Sequence, residues 1–485
     1  MTGAELRAKV VGEGANLGMT QAGRVEFALG GGRVNTDFID NSAGVDCSDN
    51  EVNIKIALAA ARADGSLSEK RRNALLVDMT RDVAELVLED NRLQALALSI
   101  AQTGGAKAVA SQMRLIETLE DIGELDRRTE GLADGEALAR RATEGIGLTR
   151  PELAVLLSNT KLVLQDAIET SRLADDPAVE PLLLGDFPEQ MRKAHKKRIL
   201  EHRLRPELVA TVVANRMVNR MGLVHPFELA EEEGTSFDQV AAAFVAASEL
   251  LGLDEVWAAL DSARMPEAAR LAMFDRVAMA LRSHMADLLR ARGATISPTA
   301  AIADLRKDIA VLGRHVDDLL AEDTRDHAAR IADELAELGA PEKHARMVAR
   351  LFAMDGAIGL SCLARDTGLD PQTIARAFID LGARLGLDWA QSVAAVMSPS
   401  DPWERLLVAG LARDFQQMRF NFLRSLARRK QAKDDLAGLI AQWAQEHAMP
   451  IGQFRAMIGR AQGAAPVAPA MLAQIASQAR NVLHK

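Results

Sequence analysis

The chain has 485 residues, enough for roughly two to four domains, and its 48% hydrophobic residues allow cores of normal size. Its net charge of -10 argues against a general nucleic-acid-binding protein, since neutralising phosphates needs clustered lysine and arginine. The two cysteines, Cys47 and Cys362, are too few for a disulfide framework or a cysteine-based zinc site, and they fit a reducing cytoplasm. No apolar run reaches the length of a membrane span.

The first sixty residues predict short strands that alternate with loops. The run AKVVG is typical of a buried strand that stops at glycine, and GEGANLGMT after it is typical of a loop. The stretch RVEFALGGG fits either a short strand or a helix. Next, TDFID predicts a second strand and NSAGVDCS a second loop, before a period of 3.6 predicts a helix. We expect the end of an α/β unit, too small to bury a parallel sheet alone.

Beyond these loops the chain is predicted to be helical to its end. Thr149 is a predicted N-cap, with Pro151 in the first turn of its helix. A stretch rich in proline and glycine at 173–190 predicts a junction, RGATISPTA at 292–300 breaks another helical run, and 403–430 predicts a long helix. Long helices with short polar turns and no repeat of fixed period indicate helical bundles.

The loop after the first strand is one candidate binding element. Gly14, Ala15, Asn16 and Gly18 would let the backbone approach a ligand closely beyond the carboxyl end of a strand. A tight surface turn is the other interpretation, because GEGAN is not the G-x-G-x-x-G pattern of a phosphate-binding loop.

The second loop offers Asn41 and Ser48. Ser48 and Glu51 have the spacing of a capping box, which would make Ser48 a structural residue at a helix start. The same helix start, with a hydroxyl and open N–H groups, also favours a carboxylate or a phosphate. The Asn41 amide is a donor and an acceptor, suited to a ribose or a carboxamide, or equally to an Asx turn.

Together the two loops resemble a known family. The segments KVVGEGANLGMTQAGRVEFA and GGRVNTDFIDNSAGVDCSDNEVNIKI are similar to the glutamate dehydrogenases, in particular the large bacterial NAD-specific class. The resemblance extends loosely over the whole chain, but its specific motifs lie within residues 9–56. Ala43 departs from the small enzymes, which have a second glycine there, and Asp49 and Asn50 stand where those enzymes have aromatic residues.

The resemblance implies roles for individual residues, with NAD as the cofactor. Asn16 would lie against the nicotinamide ribose, and Gly14 and Ala15 would allow close backbone approach. Asn41 would lie near both the nicotinamide and the substrate. Ser48 would bind the side-chain carboxylate of glutamate. No catalytic residue and no metal ligand is assigned.

The resemblance also implies that parts of the enzyme are missing from this sequence. The family's catalytic lysine and aspartate, its substrate-binding domain and its glycine-rich pyrophosphate loop lie upstream of the equivalent of Lys9, and such a lysine and carboxylate polarise and protonate the imine. We therefore expect a C-terminal portion of a dehydrogenase that converts L-glutamate to 2-oxoglutarate and ammonia. The isolated chain should have little activity, and the complete enzyme should be a homo-oligomer without nucleic-acid or membrane partners.

The expected fold class is mainly α, with a short C-terminal remnant of a Rossmann-type α/β domain followed by a large all-helical domain. Residues 1–63 would end the NAD-binding catalytic domain, 64–180 would be a helical segment packed on it, and 181–485 would be a C-terminal helical domain. Because their sheet partners would be absent, we expect raised exposure of several apolar side chains in the first segment: Val10, Val11, Phe38 and Ile39.

Three alternatives stay open. The chain could be a non-catalytic assembly or regulatory module of such an enzyme. Residues 360–382 have the pattern of a helix-turn-helix, but Asp366, Asp370 and Asp380 surround its basic and amide residues, which favours a plain helix hairpin over a DNA reader. The basic run at 192–198 fits a solvated helix face, or else an anion or inter-subunit contact. The histidines lack metal-site spacing.

Overall fold

A computed structural model describes residues 2–293, 295–319, 322–397, 399, 401–429, 435–464 and 466–483. The mainly α prediction is confirmed: helices dominate, and the strands of the described residues form one small parallel sheet. The strands are β1 (Val10–Val11) and β2 (Arg33–Val34), in which Val10 pairs with Arg33 and Val11 with Val34.

The helices from the N-terminus to the middle of the chain are α1 (Gln21–Leu29), α2 (Asp37–Asp40), α3 (Ser42–Ala63), α4 (Glu69–Asp78), α5 (Thr80–Thr103), α6 (Gly105–Asp121), α7 (Gly135–Thr143), α8 (Arg150–Glu169), α9 (Glu180–Gly185), α10 (Glu189–Ala194), α11 (Lys196–Leu200), α12 (Arg205–Met221) and α13 (His225–Glu233). Short 3₁₀ turns lie at Gly3–Glu5, Leu173–Asp175 and Pro177–Val179.

The remaining helices are α14 (Phe237–Leu250), α15 (Leu253–Ser262), α16 (Glu267–Arg292), α17 (Pro298–Arg314), α18 (Val316–Leu319), α19 (Glu322–Glu337), α20 (Glu342–Ala353), α21 (Ala357–Thr367), α22 (Pro371–Leu385), α23 (Leu387–Val396), α24 (Pro402–Arg429), α25 (Leu436–Glu446), α26 (Ala448–Gln462) and α27 (Pro469–Leu483).

The chain forms two compact units. The first comprises Met1–Ala246, Phe274–Arg282 and Ala294–Ala300, and the second the other residues. The three-part domain division expected from the sequence stays a prediction. No single helix of the described residues is long and apolar enough to cross a bilayer; one bent pair, Glu342–Ala353 with Ala357–Thr367, meets that test by length and composition.

The predicted strand at AKVVG is confirmed as β1, whereas the strand predicted at TDFID is wrong. Those residues form α2, and the second strand lies just before them at Arg33–Val34. Aspartate is disfavoured in strands but favoured in the first turn of a helix, where it meets the positive end of the dipole. Asp37 and Asp40 both lie in that turn. The first six residues of the ambiguous RVEFALGGG form the end of α1, and its three glycines follow the helix. The N-cap of α1, Thr20, accepts a hydrogen bond from Gly23 N–H.

The predicted loop NSAGVDCS is also wrong, because α3 already begins at Ser42. Its single glycine costs only about 1 kcal/mol in a helix, and packing of α3 on α2 and α5 outweighs it. Ser48 therefore lies inside the helix instead of at its start, and its Oγ donates to the carbonyl of Gly44 at 3.4 Å. The capping box with Glu51 does not form; Glu51 pairs with Lys55.

The expected exposure of four apolar side chains is correct in part. Val10 is 65% exposed and Phe38 is 42% exposed, while Val11 is half-buried. Ile39, at 2% exposed, is buried, so the expectation is wrong for that residue. The difference follows from the helical period of α2, which turns Ile39 inward and Phe38 outward.

Local signals further along the chain are confirmed. Thr149 is the N-cap of α8 and forms a capping box with Glu152, whose carboxylate accepts from the Thr149 N–H at 2.7 Å. The break near 292–300 separates α16 from α17, and α24 accounts for the long helix predicted at 403–430, except Lys430, which lies outside the described residues.

Residues 360–382 form parts of α21 and α22, and the side chain of Asp370 caps α22 by accepting from Thr373 N–H at 3.0 Å. Ile374, Leu381 and Leu385 of α22 are buried in the core of the second unit, as expected of a helix hairpin. DNA binding stays an untested hypothesis. The basic run at 192–198 lies on α10 and α11, with Lys193 and Lys197 extended into solvent.

Candidate functional site

The first unit contains an open cavity of about 760 Å³ next to the second predicted loop. Its walls come from the loop after β1 and from α2, α3, α5, α8 and α12. The lining residues are Asn16, Leu17, Asp37, Phe38, Asn41, Ser42, Val45, Asp46, Asp49, Asp90, Gln94, Lys161, Thr211, Asn215 and Asn219. Most of the lining residues have polar or acidic side chains, and one is a lysine.

Two of the predicted cofactor residues meet at this cavity. The side-chain amide of Asn41 donates to the Oδ1 of Asn16 at 2.6 Å, although the two residues are 25 positions apart. Asn41 lies at the junction of α2 and α3, and Asn16 at the tip of the preceding loop. The side-chain carbonyl of Asn41 and the side-chain amino group of Asn16 form no hydrogen bond with another described residue. A carboxamide or a sugar hydroxyl could use both.

Gly14 and Ala15 are exposed on the same loop but are not part of the cavity lining. A Cβ added at Gly14 would meet no atom within 4 Å, so packing within the described residues does not require glycine there.

A buried ion cluster fixes the loop that carries Asn16. The guanidinium of Arg24 donates to both carboxylate oxygens of Glu13, at 2.6 and 2.8 Å, and lies 3.0 Å from Asp37 Oδ1. Asp37 Oδ2 accepts from the N–H of Leu17 at 2.8 Å, and Glu13 accepts from the N–H of Met19. Glu13 of GEGAN is therefore a structural residue, a role that the sequence reasoning missed.

The cluster also sets the charge of Asp37. Burial alone would raise the pKa of the Asp37 carboxyl, but the hydrogen bond from Leu17 N–H and the charge of Arg24 hold that pKa below its usual range. Leu17 itself has a positive φ of 61°, an uncommon conformation for a residue other than glycine. The Asp37 contact is therefore well placed to hold Leu17 in this conformation beside Asn16.

The helical part of the chain contributes a lysine to the same cavity. Lys161 of α8 donates through Nζ to Gln94 Oε1 at 3.0 Å, and Gln94 donates through Nε2 to Ser42 Oγ at 3.4 Å. Ser42 in turn donates to Asn91 Oδ1 at 3.0 Å. These bonds link α8 and α5 to the start of α3, next to Asn41. Their partners are 67 and 52 residues apart, so no local sequence pattern could have indicated them.

Acidic groups around Lys161 have unusual proton affinities. Partial desolvation by the surrounding protein, helped by the charge of Asp46, raises the pKa of Asp90 to about 6, although the residue is exposed to solvent. Burial lowers the pKa of Lys161 to about 8, against the opposing effect of Asp90. Burial, with the charges of Asp90 and Asp46, raises the pKa of Asp186 to about 7. The charge of this region therefore changes between about pH 6 and 8.

Helix α12 presents a line of polar side chains to the cavity. Thr211, Asn215 and Asn219 follow one another at a spacing of four residues and therefore lie on one face of the helix. Asn219 is only 4% exposed. Uncharged polar residues repeated at a spacing of four along one helix are a signal in the sequence that could have indicated this wall.

Ser48 is exposed on α3 and is not part of the cavity lining, whereas its neighbour Asp49 is. The described residues thus bring Asn16 and Asn41 together but leave Ser48 apart from them. Its role as a carboxylate ligand stays a prediction. Among the described residues no group of three or more histidine, cysteine, aspartate or glutamate side chains is arranged to hold a metal ion.

Two family models match the chain. The model described as glutamate dehydrogenase, C-terminal, matches residues 145–481, and the model described as bacterial NAD-glutamate dehydrogenase, catalytic domain, matches residues 1–101. The second match contains the Asn16 and Asn41 loops, and the first contains Lys161 and α12. The cavity is therefore built from both matched regions.

Three curated relatives are each named NAD-specific glutamate dehydrogenase. The Pseudomonas aeruginosa protein is 35% identical over 97% of this chain and 29% of its own length. The Halomonas elongata protein is 38% identical over 83% of this chain and 25% of its own length. The Mycobacterium tuberculosis protein is 32% identical over 87% of this chain and 26% of its own length. The chain thus spans less than a third of the length of the relatives it matches.

Proposed function

The chain belongs to the bacterial NAD-specific glutamate dehydrogenase family, and we propose that it supplies one wall of the nicotinamide and glutamate site of such an enzyme. The proposed reaction is L-glutamate + NAD + water to 2-oxoglutarate + ammonia + NADH. The observation that carries the proposal is the contact between Asn16 and Asn41, since both lie in the region matched to the catalytic domain and both line the cavity.

NAD is the proposed cofactor, and it would accept the hydride from the glutamate α-carbon. The two asparagine amides fit it, because their free donor and acceptor match the carboxamide and ribose hydroxyls of a nicotinamide nucleoside. The aspartates of the cavity suit the positive charge of the oxidised nicotinamide ring. Gly14 and Ala15 would leave room for the ribose next to the backbone of the loop, since both are exposed.

We also propose that residues 1–63 are the end of a Rossmann-type NAD-binding domain. Two parallel strands joined through α1 support this, because a βαβ unit is the repeating element of that fold. The catalytic lysine and the pyrophosphate loop, which the resemblance implies lie ahead of the equivalent of Lys9, would be supplied by other parts of the longer enzyme. The 485 residues alone would then have very weak activity.

Replacing Asn41 with alanine in the longer enzyme tests the proposal. Loss of the amide removes its contact to Asn16 and its hydrogen bonds to the cofactor, so we expect kcat/KM for glutamate to fall by about tenfold to a hundredfold. Asn159→Ala is the matched control, because Asn159 is also half-buried but only donates to the carbonyl of Val155 in α8. Equal kcat/KM values for the two variants would refute the role of Asn41.

Replacing Ser48 with alanine tests the proposed carboxylate contact separately. We expect KM for glutamate to rise by about tenfold with little change in kcat, since a hydrogen bond to a charged group is lost. Ser48→Thr should largely restore KM. The alanine variant should fold normally, because the Ser48 hydroxyl makes only a 3.4 Å contact to Gly44 O and alanine favours helix. An unchanged KM would show that glutamate does not use this hydroxyl.

A further inference from the structure

Arg150, the first residue of α8, is a half-buried arginine whose side-chain hydrogen bonds all go to other elements. Its Nε donates to Oδ1 of Asn35, which lies between β2 and α2. Its two terminal nitrogens donate to Ser99 Oγ at 3.0 Å and to the carbonyl of Ala95 at 2.9 Å, both on α5. The guanidinium forms no ion pair with another described residue. These bonds therefore join the start of α8 to α5 and to the segment before α2.

Asn35 connects this guanidinium to the loop that carries Asn16. The side-chain amide of Asn35 donates to Asp40 Oδ1 at 2.6 Å, and the other oxygen of Asp40 accepts from the N–H of Glu13 at 2.9 Å. Asp40 directly precedes Asn41 in the chain. Glu13 opens the GEGAN loop, three residues before Asn16. This hydrogen-bond chain therefore ends at backbone next to both asparagines of the cavity.

A second contact from the start of α8 leads to the same glutamate. The carbonyl of Pro151 accepts from Gln21 Nε2 at 3.0 Å, and Gln21 Oε1 accepts from Arg24 at 3.4 Å. Arg24 in turn donates to the carboxylate of Glu13. Two neighbouring residues of α8 thus hold Glu13, through other side chains, at its N–H and at its carboxylate. They belong to the region matched to the C-terminal family model, whereas Glu13 belongs to the region matched to the catalytic-domain model.

The hydrogen-bond chain needs an amide at position 35 and a guanidinium at position 150. The oxygen of Asn35 accepts from a cation and its nitrogen donates to a carboxylate, so an aspartate there would keep the first bond and lose the second. Arg150 presents its donors in a rigid planar fork that reaches three separate acceptors. These requirements make the chain open to test by single substitutions.

We propose that Arg150 is a positioning residue for NAD binding. Through Asn35 and Asp40 it fixes the loop that carries one of the two cavity asparagines, and it holds the residue that precedes the other. The inference rests on the proposed function, in which these asparagines contact the nicotinamide nucleoside. Arg150 itself is not part of the cavity lining and donates to none of the residues proposed to contact NAD. The start of α8 thus contributes to cofactor binding without contacting the cofactor.

The first test is amide hydrogen exchange of the 485-residue chain with Asn35→Asp. The new carboxylate keeps the bond from Arg150 but repels Asp40 and cannot donate to it. Exchange of the Glu13 N–H should therefore become about tenfold faster, because Asp40 no longer holds it in place. Exchange in α12, for example at the buried Val213, should stay the same. Unchanged exchange at Glu13 would overturn the proposal, and so would an equal increase in α12, which would mean general loss of stability.

The second test is the affinity of the longer enzyme for NAD, measured by calorimetry. Arg150→Met and Asn35→Asp should each raise the Kd of NAD by about tenfold, with a smaller fall in kcat at saturating NAD. If Arg150 only stabilised the fold, Asn35→Asp would leave this Kd unchanged, because it retains the Arg150 contact. Arg127→Met is the matched control, since Arg127 is also half-buried but donates to Glu120 of α6 at 2.7 Å. A Kd in Asn35→Asp equal to that of the control would overturn the proposal.

Neither measurement requires catalysis. Weaker NAD binding in Asn35→Asp together with no glutamate-dependent reduction of NAD by the unaltered longer enzyme would refute the proposed function and support the role of Arg150. Dehydrogenase activity with unchanged NAD affinity in Asn35→Asp would overturn the inference alone.

Discussion

Replacing Arg24 with methionine is expected to lower the free energy of unfolding by about 3–5 kcal/mol, because it leaves two buried carboxylates without a cation. Glu13 is 5% exposed and Asp37 8% exposed, and Arg24 is the cation that contacts both. The variant should also lose order in the loop that carries Asn16, since Glu13 and Asp37 accept hydrogen bonds from that loop. Chemical denaturation measures the first effect and hydrogen exchange of Leu17 and Met19 the second.

Arg81→Met is the control, because Arg81 pairs with Glu85 on the surface, where an ion pair contributes about 0–1 kcal/mol.

The pH dependence of the stability has a definite sign. The folded pKa of Asp37 is depressed, so its contribution to stability is present above its unfolded pKa and is lost as pH falls through the folded value. The Arg24 variant should therefore show a weaker loss of stability in acid. A loss of stability no larger than that of Arg81→Met would contradict this account.

Replacing Asp388 with alanine should cost the second unit about 3–5 kcal/mol, because it removes the carboxylate that compensates a buried guanidinium. Arg419 is 1% exposed, donates to Asp388 at 2.5 Å and stacks 3.8 Å from the ring centroid of Phe378. Burial lowers the pKa of Arg419, and Asp388 opposes that effect. Gly382 makes the pair possible, since a Cβ there would come within 2.4 Å of the Asp388 carboxylate.

The double variant Asp388→Leu with Arg419→Met removes both charges and should recover most of the lost stability, because two apolar residues can replace a buried pair at little cost. Asp414→Ala is the matched control, since Asp414 pairs with Arg480 at the surface. Additive losses in the double variant, or a loss below about 1 kcal/mol for Asp388→Ala, would show that the pair does not stabilise the core.

The sequence predicted best those features that depend on neighbouring residues. The N-cap at Thr149 and the break near 292–300 need only local chemistry, and both are confirmed. The helix starting at Ser42 was missed, because NSAGVDCS has the residues of a loop while contacts with α2 and α5 decide its conformation. Because Ser48 lies inside α3, it is not beside the open N–H groups of a helix start. Its expected role as a ligand of the glutamate carboxylate therefore depends on the resemblance alone.

The candidate site was predicted in part for the same reason. Asn16 and Asn41 were found through the order and spacing of two motifs, and the structure brings them into contact. Arg24, Lys161 and Asn219 were missed, because their partners are distant in sequence or absent from the described residues. For α12, the spacing of Thr211, Asn215 and Asn219 is the one sequence pattern that could have predicted a polar face lining the cavity.

We propose that Asn16, Asn41 and the residues around their cavity form part of an NAD-dependent glutamate dehydrogenase site. The most direct measurement is glutamate-dependent formation of NADH, followed by absorbance, for the 485-residue chain and for a longer polypeptide, of the length of the curated relatives, that includes it. We expect robust activity from the longer polypeptide, very weak activity from the chain alone, and loss of most activity in the longer polypeptide with Asn41→Ala. No glutamate-dependent NADH formation by the longer polypeptide would contradict the claim.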